Sequence, residues 1–205
     1  MSTWETVWIA LASGATILIA AIFAGIKDVI SVWFVKIVRK MRKRTYIQQI
    51  EKLAVFLETL DEMRKIRDLQ RCLIFHGHNC GGLPTPGKPY TVRALLGWHS
   101  KPEKEDPLKK YNFELQVDSH YTRILEDVIK NGRCTQVTKN MPSDSKLRHH
   151  YELEGVQMTE IYYLGLIEDE LIFLSASSYD VDKFSPSTYS DVEIAVERLR
   201  SIMGE

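Results

Sequence analysis

His76, His78 and Cys80 stand within five residues, in the run His-Gly-His-Asn-Cys. On a strand, His76 and His78 point to the same face, and two imidazoles with a cysteine sulfur form a donor set that zinc accepts. No fourth ligand stands nearby at a recognisable spacing, and His99, His120, His149 and His150 reach such a site only through the fold. The plainer reading is a strand end entering a glycine-rich loop, with hydrogen-bonded or solvated histidines. Contact with an organic ligand lies between these two readings. The loop itself, Gly81 to Pro89, lacks the Gly-Lys-Ser/Thr ending of a phosphate loop, and its three prolines stiffen it into a turn or lid. No Ser-His-Asp arrangement has identifying local context. Tyr90, Trp98, Tyr111, Phe113, Tyr162 and Tyr163 are expected mostly in the core, and alternation lets only one of Tyr162 and Tyr163 line a pocket on a sheet.

The elements that position these residues alternate between strand and helix patterns. Cys72–His76 and Thr91–Trp98 are apolar, strand-compatible runs, and Ser100–Lys110 is a polar, proline-broken loop. Asp118 or Ser119 caps a helix reaching about Lys130, with Ile124, Leu125, Val128 and Ile129 on its buried side, and Asn131-Gly132 stops it. A short strand over Arg133–Thr138 and a short helix over Ser145–Leu153 follow. Val156–Ile167 and Glu170–Ser178 form a hairpin turning at Glu168-Asp169. Ser185-Pro186 starts a last helix that presents Val192, Ala195, Val196, Leu199 and Ile202 on one face. Upstream, residues 45–70 contain neither Pro nor Gly, and Tyr46, Ile50, Leu53, Leu57 and Leu60 recur at heptad spacing. That spacing describes either an amphipathic helix lying on its own domain or a short parallel pair between two copies.

The N-terminal part is different in kind. From Thr6 to Ile26 no residue is charged, and a helix of this length covers roughly 30 Å, the thickness of a bilayer's hydrocarbon core. Lys36, Arg39, Lys40, Arg42, Lys43 and Arg44 follow it, which predicts contact with anionic headgroups, an N-terminus outside and the remainder in the cytoplasm at the inner membrane. With only Glu5 before the apolar run, a cleaved signal peptide fits worse. Three domains result: 1–44 as anchor, 45–69 as connecting helix and 70–205 as cytoplasmic domain. Three cysteines, Cys72, Cys80 and Cys134, in that compartment argue against structural disulfides. Over 205 residues the formal net charge is zero, from +5 in residues 1–44 and −5 in the rest. That balance argues against nucleic acid as a partner.

The order of elements, with ILEDVIKNGRCTQVT (124–138), LEGVQMTEIYYLGLIEDELIFLSASS (153–178) and DKFSPSTYSDVEIAVERL (182–199), resembles a GAF domain. The resemblance covers about Tyr46 to Met203 and is one of pattern. It implies an α+β fold, a five- or six-stranded antiparallel sheet with helices on both sides, a small-molecule pocket on one face, and a homodimer through the first and last helices (45–69 and 186–203). His76, His78, Tyr90, Trp98, His120 and Tyr162 are the ligand-contacting candidates it suggests. The cofactor is left open. The family's Asn-Lys-Phe-Asp-Glu cyclic-nucleotide signature is absent, Cys134-Thr135 disfavours bilin attachment through a Cys-His pair, and the cysteines do not follow the methionine sulfoxide reductase pattern. The expectation is a non-enzymatic, membrane-anchored sensor or binding module that signals through a partner or its helical connector. The alternatives are a structural or accessory membrane protein, virus-encoded and holin-like in one form, that uses the domain as an interaction platform, and a metal or redox enzyme at His76, His78 and Cys80.

Overall fold

A computed structural model describes residues 43, 45–78, 90–101, 115–167 and 169–203. They fall in two units, Met1–Leu53 and Ala54–Glu205. In the first, residues 45–53 are helical, and Tyr46, Ile47, Ile50 and Leu53 are exposed. In the second, a helix over 54–63 (α1) precedes strands β1 (Arg71–His78), β2 (Thr91–His99) and β3 (Leu115–Gln116). Helix α2 (Ser119–Asn131), strand β4 (Arg133–Val137), a 3-10 turn at Thr138–Asn140 and helix α3 (Lys146–Glu154) come next. The hairpin β5 (Met158–Ile167) and β6 (Glu170–Ser178) leads to α4 (Pro186–Met203).

These strands make one six-stranded antiparallel sheet in the order β3-β2-β1-β6-β5-β4. Its central strands are apolar on both faces. Cys72 and Ile74 of β1, with Ile172, Leu174 and Ala176 of β6, pack under α1 and α4. Leu73 and Phe75, with Leu171 and Phe173, pack under α2 and α3, where the Phe75 and Phe173 rings stack at 5.3 Å. Such strands need cover on both sides, and each buried Leu, Ile or Phe contributes roughly 1.5–3 kcal/mol.

Polar contacts fix the covers in place. Trp98 Nε1 donates to the Leu60 carbonyl at 3.1 Å, tying α1 to β2. Thr188 Oγ1 donates to the Arg67 carbonyl at 2.9 Å, and Arg198 pairs with Glu62 at 2.7 Å. The Asp118 carboxylate serves two helices, accepting from the Tyr121 amide at 2.7 Å and the Lys146 amide at 2.9 Å. Burial alone would raise its pKa; these two amides, with the charges of His120 and Lys146, outweigh that and hold it below the usual carboxylate value.

The expected elements are present, with instructive differences. Asp118 is the cap of α2, Gly132 its left-handed stop at φ 77°, and Ser185 the cap ahead of Pro186, accepting from the Thr188 amide at 3.2 Å. Ile129, expected on the buried side of α2, is 54 % exposed, and Tyr121, about two turns earlier, is buried. The heptad series divides: Leu57 is exposed while Leu60 is buried with Met63 in the core. The helix ends at 63, short of 70, because the chain turns at 64–68, where Asp68 is left-handed, to enter β1. The two-residue β3 has no signal of its own and exists only by pairing with Thr91 and Val92.

Among the described residues no helix is long and apolar enough to cross a membrane. Thr6–Ile26 lies outside the described residues, as do Lys36, Arg39, Lys40, Arg42 and Arg44; Lys43 is helical and exposed.

Gly97 packs where β2 crosses β1, and a Cβ there would run into the Cys72 carbonyl and the Leu73 side chain. Gly97→Ala is expected to lower unfolding stability by about 1–3 kcal/mol, because backbone must move to admit the methyl. Gly132→Ala, where the nearest atom is 3.6 Å away on Arg200, is expected to cost about 1 kcal/mol through its positive φ alone. Urea denaturation of the two variants checks the ranking.

Candidate functional site

A cavity of about 270 Å³ opens between α2 and the sheet, walled by Leu125 and Ile129 of α2, Leu171 of β6, and Tyr90 just before β2. Glu126 and Lys130, paired at 2.5 Å, stand on the same stretch of α2. Leu171 follows Glu170, whose carboxylate accepts from or pairs with His76 Nε2 at the end of β1. The Tyr90 ring lies against Gly77, where a Cβ would strike its hydroxyl. Burial, and then the Glu170 carboxylate, push the Tyr90 phenol up to about 12, so it is neutral at physiological pH. The cavity thus has apolar walls and one neutral phenol, with an ion pair at α2. Those groups suit an apolar small molecule carrying one or two hydrogen-bonding atoms.

The same face of the sheet carries a fully interior polar cluster further along the strands. Arg71, 1 % exposed, is paired with Glu154 of α3 and lies 5.4 Å from the Tyr151 ring. Beneath it Thr159, Ser175 and Ser177 exchange hydroxyl hydrogen bonds, Thr159 Oγ1 to Ser175 Oγ at 2.9 Å and Ser177 Oγ to Thr159 Oγ1 at 2.9 Å. The sequence reading passed over Arg71 and Glu154. The available signal was a charged residue opening the apolar run CLIF, at the parity that Leu73 and Phe75 bury.

The six sequence candidates do not converge on one cavity. His76 and Tyr90 come together at the β1 end of the sheet through Glu170 and Gly77. His78 holds a β1 register position opposite Thr91. Trp98 is buried under α1, with Arg64 5.8 Å from its ring. His120 Nδ1 meets Ser145 Oγ at 3.0 Å, beside the shared caps of α2 and α3. Tyr162 is buried on the opposite face, next to α4, while Tyr163 is partly buried on the α2 face, as strand alternation requires. Among the described residues no group of three or more His, Cys, Asp or Glu side chains could hold a metal ion, and Cys80 lies outside them. Burial pushes the Cys72 thiol up to about 12 against the lowering charge of Arg71, and burial also raises Cys134, so neither is a ready thiolate.

Arg71 and Glu154 yield a direct test. Arg71→Met or Glu154→Leu alone leaves a buried unpaired charge and is expected to cost about 3–5 kcal/mol, whereas the double variant is expected to recover most of that loss. A double-mutant cycle in urea measures the coupling.

No family model matches the chain, and no curated protein matches it. Solved structures do. The GAF domain of a two-component sensor histidine kinase from Bacillus halodurans aligns at 7 % identity over 74 % of this chain and 92 % of that one, with a TM-score of 0.52. The phycocyanobilin-bound GAF domain of a cyanobacterial phytochrome aligns at 12 % identity over 74 % and 83 %, TM-score 0.52. A GAF domain/HD domain protein from Geobacter sulfurreducens aligns at 10 % identity over 74 % and 90 %, again at 0.52. At such identities the likeness is one of fold: the chain has a GAF-like α+β fold.

Proposed function

We propose that this protein is a membrane-anchored, non-enzymatic sensor whose GAF-like domain binds a small molecule and transmits its presence through the helix that precedes the domain. The observation that carries the reading is the apolar cavity beside Tyr90, between a helix and the inner strands of a fold used for ligand binding in the phycocyanobilin-bound relative. Helix α1 supports the transmission half. Its residues Leu60 and Met63 are part of the core over the sheet, whereas Leu57 and, earlier in the sequence, Tyr46, Ile50 and Leu53 are exposed apolar side chains at heptad spacing. A second copy covers that seam, and a ligand acts by favouring one of two packings of the pair. The uncharged stretch Thr6–Ile26 and the basic cluster Lys36–Arg44 support anchoring at the inner membrane with the domain in the cytoplasm.

Native mass spectrometry of the gently solubilised full chain tests each part separately. The expected species is a dimer carrying a noncovalent small molecule. Ile129→Trp, which fills the cavity wall from an exposed position, is expected to lose the adduct while remaining dimeric. Ile50→Asp is expected to release monomers that keep the adduct, since a desolvated charge in a heptad seam opposes pairing. A monomer without adduct that stays in the supernatant after ultracentrifugation without detergent overturns the reading.

A further inference from the structure

The cavity beside Tyr90 has a shape as well as a polarity. Thr122, Leu125, Glu126, Ile129 and Lys130 follow one another at i, i+3, i+4, i+7 and i+8, so one face of α2 forms its long wall. Eight residues of helix rise about 12 Å. Spread over that length, 270 Å³ leaves a cross-section of roughly 22 Å². That is narrow for its length, the section of one extended hydrocarbon chain. Across from α2 stand Leu171 and the Tyr90 ring. Gly77 faces Leu171 in the β1–β6 register, and Tyr90 holds the place that a side chain at Gly77 would take. Leu166, the cross-strand partner of Leu171, is 52 % exposed and continues the apolar surface along β5.

The polar groups of this lining are already engaged. Thr122 Oγ1 donates to the Asp118 carbonyl at 2.9 Å. Glu126 and Lys130 hold one another at 2.5 Å on the exposed side of α2. The Tyr90 hydroxyl lies over Gly77. A polar ligand would leave water for walls that offer it no new hydrogen bond, which costs free energy. A hydrocarbon meets no such cost, and each methylene it buries is favourable. Another cavity, about 330 Å³ between α4 and strands β4 and β5, has the pairs Arg133–Glu193 and Arg200–Glu197 in its lining and suits a hydrocarbon poorly.

We infer that the Tyr90 cavity takes an unbranched alkyl chain, that of a fatty acid or of a membrane lipid, laid along α2 with its polar head left in water. This rests on the reading of the cavity as the sensor's ligand site and names the chemical class of the ligand. The site reads the chain by its length, since hydrocarbon burial adds methylene by methylene until the groove is full. Head groups count for little, because the charges nearest the chain are the exposed Glu126–Lys130 pair, whose effect is screened by water. A free amphiphile and a bilayer lipid present the same chain, and the identity of the bound species separates the two sources.

Native mass spectrometry of the full chain solubilised in digitonin, whose apolar part is a rigid ring system, identifies the retained molecule. The expected adduct has the mass of a fatty acid, or of a phospholipid where the bilayer is the source. Isothermal titration of the same preparation with hexanoate, octanoate, decanoate and 2-naphthoate then measures the groove. Affinity is expected to rise about tenfold for every two methylenes, and 2-naphthoate, apolar but flat and rigid, to bind more weakly than decanoate. Thr122→Phe, at an exposed position at one end of the groove, is expected to lower decanoate affinity about tenfold. Hexanoate affinity is expected to stay unchanged in that variant, which also reports an intact fold. A polar or ring-shaped adduct, affinity independent of chain length, naphthoate binding as tightly as decanoate, or an unaltered length preference in Thr122→Phe overturns the inference while leaving the ligand-binding reading in place. Absence of both an adduct and saturable binding overturns the two together.

Discussion

The structure depends on the β1–β6 pair at the centre of the sheet having two hydrophobic faces. Leu73, Phe75, Leu171 and Phe173 require one cover, and Cys72, Ile74, Ile172, Leu174 and Ala176 require another. No single layer satisfies both, so helices must lie on each side. Antiparallel register then decides which residues share a face. Arg71 pairs with Ser177, which brings the guanidinium over the hydroxyls of β6 and within reach of Glu154.

The two faces have been put to different uses. Under α2 and α3 the hydroxyls of Thr159, Ser175 and Ser177 bond one another, and the open volume is apolar and lies at the β1 end of the sheet near Tyr90. Under α4 the open volume is bordered by charge, and the interior polar atoms of Glu160 and Tyr162 are left over. A buried hydroxyl or carboxylate oxygen without a partner costs roughly 1–3 kcal/mol or more, a cost that the bonded hydroxyls of Thr159, Ser175 and Ser177 avoid.

Helix α1 links the domain to what precedes it. Leu60 and Met63 bury against the sheet, and Trp98 holds the Leu60 carbonyl, so the C-terminal end of the helix is part of the core. Upstream in the same helix Phe56 is partly buried against the core and Leu57 is exposed.

Local chemistry was enough to write most of the elements. Asp118, Asn131-Gly132 and Ser185-Pro186 act within one turn of themselves, and the hairpin around Asp169 follows from alternation on either side of a tight turn, so each is legible without knowledge of neighbours. The order of those elements also carried the likeness to GAF domains. Burial at helix edges was not legible: Ile129 and Leu60 carry the same kind of side chain, yet one faces out and the other in, because helix rotation is set by what the helix lies on. The candidate site was read only in part. His76 and Tyr90 meet because antiparallel pairing places Glu170 and Gly77 beside them, whereas Trp98, His120 and Tyr162 were sent elsewhere by strand parity and capping. Arg71, Glu154 and Glu160 escaped notice since a charged letter in a sequence reads as surface. Only the tertiary structure, by enclosing a charge and supplying its counter-ion, decides whether it belongs to the core.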